Sequence, residues 1–584
     1  MPSNISRRTF VASAVTAASA VALPKLASSE SSSSRRSASS GSDEQVLDLA
    51  IIGAGIAGIY SGWRLLSVDP SSVRILGRRV GAGRRLRVKV FEGSSRVGGR
   101  LLSARPVGLS AVCELGGMRF ASSQRRVVSL IDGLKLPHHR LYSSHPQNHV
   151  LLRGKHLRIS DLTNPARLPY QLTATEQDCV RKNGPDVLIQ CALTKLLPAV
   201  AELHGDELFT YLQAAELDGR PLYQHGLWNL LARTMSSEAL ALAQASIGFD
   251  TFATSNACAV DLIMQYLAHT PDVTYHALDD GYASLPWTLQ RKFESAGGEV
   301  VHGAWLQELS PLTLSDGTVG IELRFSGSCP AVRARGVILA MPRRSLELVL
   351  PRCLRLAPNS SATLTKLLNS VAPVPVLKSL IRYPTAWWKA TGVCHGYSLT
   401  DLPIRQCWYW TESRHEACET KTDEALIMVF NDAASVTFWG GLRPDDARAV
   451  QPSTAACRVQ SSPRSGNADD AQLGENWRVH RAPVEMVSEL HRQILVLHDV
   501  PSAPEPLEAA YADWSDDPFG AGVHWWNPGV QSWRIVDAMT QPIKDVPCYV
   551  CGEAYSTVQS WVEGALLSAD MMLQQRLNLP GRVM

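Results

Sequence analysis

The 584-residue chain has no surplus of charge, since 57 lysines and arginines stand against 54 aspartates and glutamates for a formal net charge of +3. Such a balance raises no field that would gather a nucleic acid, and the expected partner is a small molecule. The chain also lacks a long apolar run near its start. In "SRRTFVASAVTAASAVALP" the apolar stretch ends by Leu23, too short for a membrane anchor. Cysteine is sparse: twelve are scattered along the chain, with one close pair, Cys548 and Cys551, in "CYVC". Positions three apart on a strand face opposite sides, so this pair reads as core and not as a redox couple. No metal site is expected. If the chain is exported its cysteines can form disulfides, but the sequence does not say which pairs.

What the chain does have is "LDLAIIGAGIAGIYSGWRLL", residues Leu47 to Leu66. The run from Leu49 to Ile52 is short and apolar on both faces, as in a central parallel strand. Gly53 permits a tight exit, Gly55 lets backbone approach a pyrophosphate, and Gly58 lets the next helix, opening with Ile56 and Ala57, pack on the sheet. Phosphates would then sit on that helix N-terminus. A second strand in "RLRVKVFEG" should end in Glu92, placed to bind a ribose. It lies about 34 residues beyond Gly58 against roughly 20 in the usual unit, and the excess falls in "GRRVGAGRRLR", read as a surface insertion. A chain of this length exceeds one core, which suggests two intimately built domains.

After Glu92 comes "EGSSRVGGRLLS", with Gly93, Arg96, Gly98, Gly99 and Arg100, residues that a nicotinamide-binding turn does not require. This resembles the E-x-x-x-R-x-G-G-R signature of flavin-containing amine oxidases. The resemblance implies FAD, with the glycines passing beneath its pyrophosphate and the arginines supplying charge and hydrogen bonds. It implies an α/β fold: a Rossmann-like (GR2-type) FAD-binding domain, a mixed-sheet substrate-binding domain and a helical subdomain. The FAD domain would take residues 46–119, 270–344 and 529–584, the helical subdomain 120–269 and the substrate domain 345–528, with a flexible polar loop over 442–472. A backbone pair near Leu306 would touch the adenine. The last segment, "CGEAYSTVQSWVEGALLSADMML", resembles the family's final flavin motif. There Gly552 and Glu553 would meet the ribityl chain, and a helix starting at Trp561 or Val562 would face the flavin O2 and N1.

Within the family the chain most resembles the bacterial, fungal and snake-venom L-amino acid oxidases. "ELGGMRF" is similar to their G-x-M-R segment, so Gly116, Gly117, Met118 and Arg119 would lie over the flavin, with Arg119 gripping a substrate carboxylate. "SLTDLPIRQCWYW" resembles their T-D-L-P-x-R segment, where Thr400, Asp401, Pro403 and Arg405 would fix a turn and an ion pair. Lys378 in "PVPVLKSLIRY" matches the lysine that holds a water against flavin N5. The implied activity is oxidation of an L-α-amino acid by O2 to a 2-oxo acid, ammonia and hydrogen peroxide. An amine or polyamine oxidase, or an amino-acid 2-monooxygenase of the same fold, is the alternative. Trp439 with Phe438, Trp525, Trp526 and Trp561 offer aromatic walls for an aromatic or cationic side chain. Phe430 stands where a second, tyrosine carboxylate ligand is expected, leaving Tyr409 and Tyr555 as substitutes. "DPFGAGVHWWNPG" holds no cysteine, so FAD should be noncovalent. Arg7 and Arg8 before Thr9 and Phe10 resemble a twin-arginine export signal over residues 1–27, followed by a Ser-rich linker over 28–45. That implies a periplasmic or extracellular enzyme; a homodimer is left open.

Overall fold

All six residues of the first strand, β1 (Leu47–Ile52), are buried, which is why the run is apolar on both faces. The computed structural model describes residues 46–81, 83–268, 273–350, 360–410, 425–444, 457–459 and 466–581. The expected signal and linker lie outside these residues, as does most of the expected loop at 442–472. Helix α1 (Ile56–Leu66) and β2 (Val88–Glu92) complete the first unit. A hairpin of β3 (His149–Leu152) and β4 (Lys155–Arg158) leads into a helical stretch that includes α2 (Ala174–Asn183), α3 (Val187–Leu196) and α4 (Ala259–Leu267). Helix α5 (Ser284–Ser295) precedes β5 (Glu299–His302), β6 (Leu306–Thr313), β7 (Val319–Phe325) and β8 (Val332–Leu339). Next come β9 (Val371–Val374), β10 (Val376–Arg382), β11 (Tyr397–Thr400), β12 (Gln406–Tyr409), β13 (Leu426–Asp432) and β14 (Arg458–Val459). Helix α6 (Gly466–Val479), β15 (Glu508–Asp513), β16 (Val523–Trp526), β17 (Cys548–Val550) and helix α7 (Val562–Leu577) close the chain.

These strands form two large sheets. The first has eight strands in the order β6-β7-β8-β1-β2-β5-β14, with β17 also on β8. Its centre is parallel, and the register aligns Ile52 with both Phe91 and Leu339, and Leu339 with Val550. The carboxyl ends of four strands therefore meet, bringing Gly53, Glu92, Ala340 and Cys551 to one edge, where ligands bind in such sheets. Helix α1 can lie on this sheet because of Gly58: a Cβ there would stand 1.9 Å from the Gly53 carbonyl oxygen. Tyr60 and Arg64 then bind Asp570 of α7 at 2.8 and 2.7 Å, fastening the first helix to the last.

The second sheet has seven strands, β4-β3-β11-β12-β13-β10-β15, antiparallel except where β3 meets β11. Strand β10 lies between β13 and β15 with Lys378 opposite Phe430 and Ala512. The stretch expected as a flexible loop over 442–472 contains regular structure where it is described. Arg458–Val459 extends the first sheet beside β5, and α6 starts at Gly466. Its Leu473 and Trp477, four apart, are buried, an anchor too sparse for the surrounding polar residues to show as a period. A disulfide joins Cys329 to Cys457, across 128 residues. Cys548 and Cys551 are separate buried thiols. No described helix is long and apolar enough to cross a membrane.

Candidate active site

A cavity of about 2090 Å³ runs from the carboxyl edge of the first sheet to the face of the second. Its floor is built from backbone. Gly53 has φ +101°, and a Cβ there would come within 2.5 Å of the Ala340 carbonyl oxygen, whereas one on Gly55 would meet nothing within 4 Å. Gly55 thus opens the start of α1, which no side chain caps, toward the cavity. Gly99, at φ +58°, lies under it, its own Cβ position 3.2 Å from the Gly55 Cα. Two glycine turns in contact make a surface that a pyrophosphate can approach.

Side chains brace this floor. Glu92 accepts from Ala54 N at 2.7 Å and from Ser94 N at 2.9 Å. Arg96 donates to the Gly99 and Leu101 carbonyls at 2.6 and 3.3 Å, and burial, opposed by Glu92, pulls its pKa down to about 10. Arg100 donates to the Gly522 carbonyl at 2.6 Å and pairs with Glu553 at 2.9 Å. Glu553 also accepts from Ser560 N at 2.9 Å and lies 3.1 Å from His524 Nδ1. Burial alone would raise its carboxyl, but Arg100 and His524 outweigh it and hold the pKa down to about 2. Glu553 is therefore an anion that locks the final motif, with Gly552 beside it on the wall. Trp561 stands at the N-cap of α7 without a side-chain cap, and Val562 opens the helix, so a second free helix N-terminus faces the cavity. Gly93, Ile56, Ala57, Gly116, Gly117, Met118 and Leu306 line the same space.

At the far end the cavity becomes a substrate-sized chamber. Lys378 is buried in β10 and donates to the Gly116 carbonyl at 2.6 Å, with its Nζ 5.7 Å from the Phe430 ring centre. Burial lowers its pKa, Arg119 lowers it further, and the buried Glu114 pulls the other way. The Arg119 guanidinium lies 4.1 Å from the Tyr275 ring centre and 5.2 Å from that of Trp408, and donates to Ser143 Oγ at 3.1 Å. Among the described residues no carboxylate pairs with it. Tyr275 stacks on Trp561 at 6.4 Å and 16°, and Tyr397 lies 4.6 Å from Trp408, so aromatic rings enclose the guanidinium.

Several expected wall residues lie elsewhere. Trp525 lines the cavity, its Nε1 donating to Thr251 Oγ1 at 2.7 Å, but its neighbour Trp526 points the other way and donates to the Ser556 carbonyl at 3.1 Å. The same alternation puts Trp408 on the wall and Tyr409 behind it, where its hydroxyl meets Ser398 Oγ and His498 Nε2. Trp439 is wholly buried behind the sheet and donates to the Pro403 carbonyl at 2.9 Å; Phe438 is on the outer surface. Tyr555 donates to the Leu368 carbonyl. Trp439, Trp526 and Tyr409 are thus core residues, and neither Tyr409 nor Tyr555 can be the second carboxylate ligand. Arg405 pairs with Asp250 at 2.8 Å while Leu402 N bonds Thr400 Oγ1 at 3.0 Å, a turn behind the site. Sequence reading missed Tyr275, Tyr397 and Trp408; counting outward from Gln406 by twos would have found Trp408.

A glycine-lined cradle, two open helix starts and two bracing arginines fit a flavin dinucleotide, and the class of protein they define is a flavoprotein oxidoreductase. The profile of the family described as flavin containing amine oxidoreductase matches residues 56–571, and the chain belongs to that family. It is 26% identical over 557 residues to Aplysianin-A of Aplysia kurodai, across 91% of this chain and 90% of that protein. It is 22% identical over 417 residues to an L-amino-acid oxidase of Mus musculus, across 66% of this chain and 58% of that one. A solved putrescine oxidase bound to putrescine has a TM-score of 0.60 at 17% identity, covering 90% of this chain and 97% of the other, a likeness of fold alone.

Proposed function

We propose that this flavin-dependent amine oxidoreductase is an L-amino acid oxidase that uses noncovalent FAD and O2, yielding a 2-oxo acid, ammonia and hydrogen peroxide. The observation that carries the reading is Arg119. A guanidinium kept on the cavity wall among aromatic rings, with no carboxylate of the described chain beside it, is costly unless an anion arrives with the ligand. A substrate carboxylate supplies that anion through paired hydrogen bonds, whereas an amine has nothing to offer it. The similarity to the mouse L-amino-acid oxidase supports the same choice.

FAD, when bound, supplies the two-electron acceptor and the site of O2 reduction. Gly53, Gly55, Gly99, Arg96 and Arg100 would hold its diphosphate and the starts of α1 and α7 its charge. The protein's own part is positioning. Arg119 fixes the carboxylate, and the Tyr275 and Trp408 faces hold Arg119, so the clamp would orient the substrate as well as bind it. Lys378 Nζ, already anchored on Gly116, can hold or pass a proton because burial brings its two forms closer in energy.

The test is a panel of L-amino acids, each paired with its decarboxylated amine, read as peroxide, ammonia and 2-oxo acid. Equal release of all three from amino acids supports the reading. Oxidation of the amines alone, or an amide product, overturns it. Attachment is tested separately. No cysteine lies on the described cavity wall, so acid precipitation should release all the yellow colour to the supernatant; colour kept in the pellet means a covalent bond. We propose further that the chain is exported through Arg7 and Arg8. Changing both to lysine should trap the folded enzyme in the cytoplasm, and undiminished activity outside it would reject the signal.

A further inference from the structure

Two helices beside the cavity carry a pair of thiols that the proposed chemistry does not use. Cys179 lies in α2 and Cys191 in α3, and their sulfurs stand 2.7 Å apart. No atom fits between them at that separation, and a shift of roughly 0.7 Å brings them to the ~2.05 Å of a disulfide bond. Both are half-buried, whereas the other described thiols, Cys113, Cys258, Cys407, Cys548 and Cys551, are buried. This pair is therefore the one an oxidant can reach. The Cys329–Cys457 bridge is a precedent for such a bond in the same chain.

The two helices differ in what holds them. Helix α3 buries Leu188, Ile189, Ala192 and Leu193, whereas α2 buries Val180 alone of its ten residues. With so little apolar surface removed from water, α2 gains little from the core. Its first turn is tied to the body of the protein by Glu176, which accepts from Ser236 N at 2.7 Å. In its last turn Arg181 bonds Asp178 and Gln177 of the same helix, which fastens it to nothing else. Yet this turn leads onto the cavity wall, where Lys182, Asn183, Val187 and Gln190 all lie between the two cysteines. A bond from Cys179 to Cys191 ties the weakly buried helix to the well-buried one and closes that wall segment into a loop.

We propose that Cys179 and Cys191 form a disulfide that staples α2 to α3 and holds this part of the cavity wall. The inference is independent of the amino acid oxidase reading. Each thiol gives up its proton, and the two sulfurs together pass two electrons to an external disulfide such as oxidised glutathione, which leaves as two thiols. The experiment treats the full-length holoenzyme with oxidised glutathione, denatures it without reductant, blocks remaining thiols with N-ethylmaleimide and digests it with trypsin. Residues 168–181 and 183–195 should appear as one linked species that separates on reduction. Maleimide on both peptides, or a glutathione adduct on either, overturns the inference. The staple's role is read on the native protein, where trypsin can cut after Arg181 or Lys182. Both cuts fall inside the closed loop, so the nicked parent should stay one species in denaturing gels until it is reduced. In the double variant Cys179→Ser, Cys191→Ser the same cuts should come about tenfold faster and the fragments separate at once, with Tm lowered by a few degrees. Flavin content reports whether the variant is folded. Cleavage no faster in the flavin-replete variant than in the parent overturns the stapling role, and the peptide map of the parent decides the bond itself without any variant.

Discussion

Arg119→Ala should lower kcat/KM for every accepted L-amino acid by about a hundredfold or more, because losing a charge-assisted pair to a desolvated carboxylate costs on the order of 3 kcal/mol. The loss should appear in the rate of flavin bleaching at saturating substrate as well as in affinity, because the same contact orients the Cα–H bond. Flavin content should be normal, since Arg119 leans on Tyr275, Trp408 and Ser143 and braces none of the glycine turns. A decarboxylated amine should be oxidised no worse by the variant than by the parent. Parental bleaching rates with L-amino acids in a flavin-replete variant would make Arg119 structural and remove the main support for an amino acid substrate.

Lys378→Met should slow turnover on the order of a hundredfold, the usual scale for losing a positioned proton-transfer group. Methionine keeps the length and the packing against Phe430 but leaves the Gly116 carbonyl without its donor. The more telling effect is on the pH profile. In the parent, burial and Arg119 lower the lysine pKa while Glu114 raises it, and the net direction is downward. The neutral amine fraction therefore grows as pH rises through a value below the ordinary lysine range of about 10.4. An ionisation in that region should appear in the parent's rates and vanish in Lys378→Met. An unchanged profile would move the proton-handling role to another group.

The two predictions differ in how readily their residues are found. Gly53, Gly55, Gly58, Gly99 and Arg96 act through their own backbone or on carbonyls a few residues away, so their spacing in one dimension carries the geometry. Glu553 and the start of α7 lie in another such local segment, although the partners of Glu553, Arg100 and His524, come from elsewhere in the chain. Arg119 stood out because the segment around it resembled a known pattern. The absence of a neighbouring carboxylate appeared only in three dimensions.

The aromatic wall shows the other case. Tyr409 and Trp408 are adjacent, as are Trp526 and Trp525, and composition treats each pair alike. A strand sends adjacent side chains to opposite faces, so one member of each pair meets the cavity and the other the core. Which face is which depends on the distant strands that each pair joins, since Trp408 and Tyr409 lie in the seven-stranded sheet beside β13 whereas Trp525 and Trp526 pair with β9, about 150 residues earlier in the chain. By itself the sequence determined the nucleotide cradle, the cofactor class and the family, because a phosphate-binding turn is a local object whose spacing is its geometry. Tertiary structure alone decided which rings line the chamber and that no described carboxylate pairs with Arg119 there, because burial and facing are set by packing between distant segments.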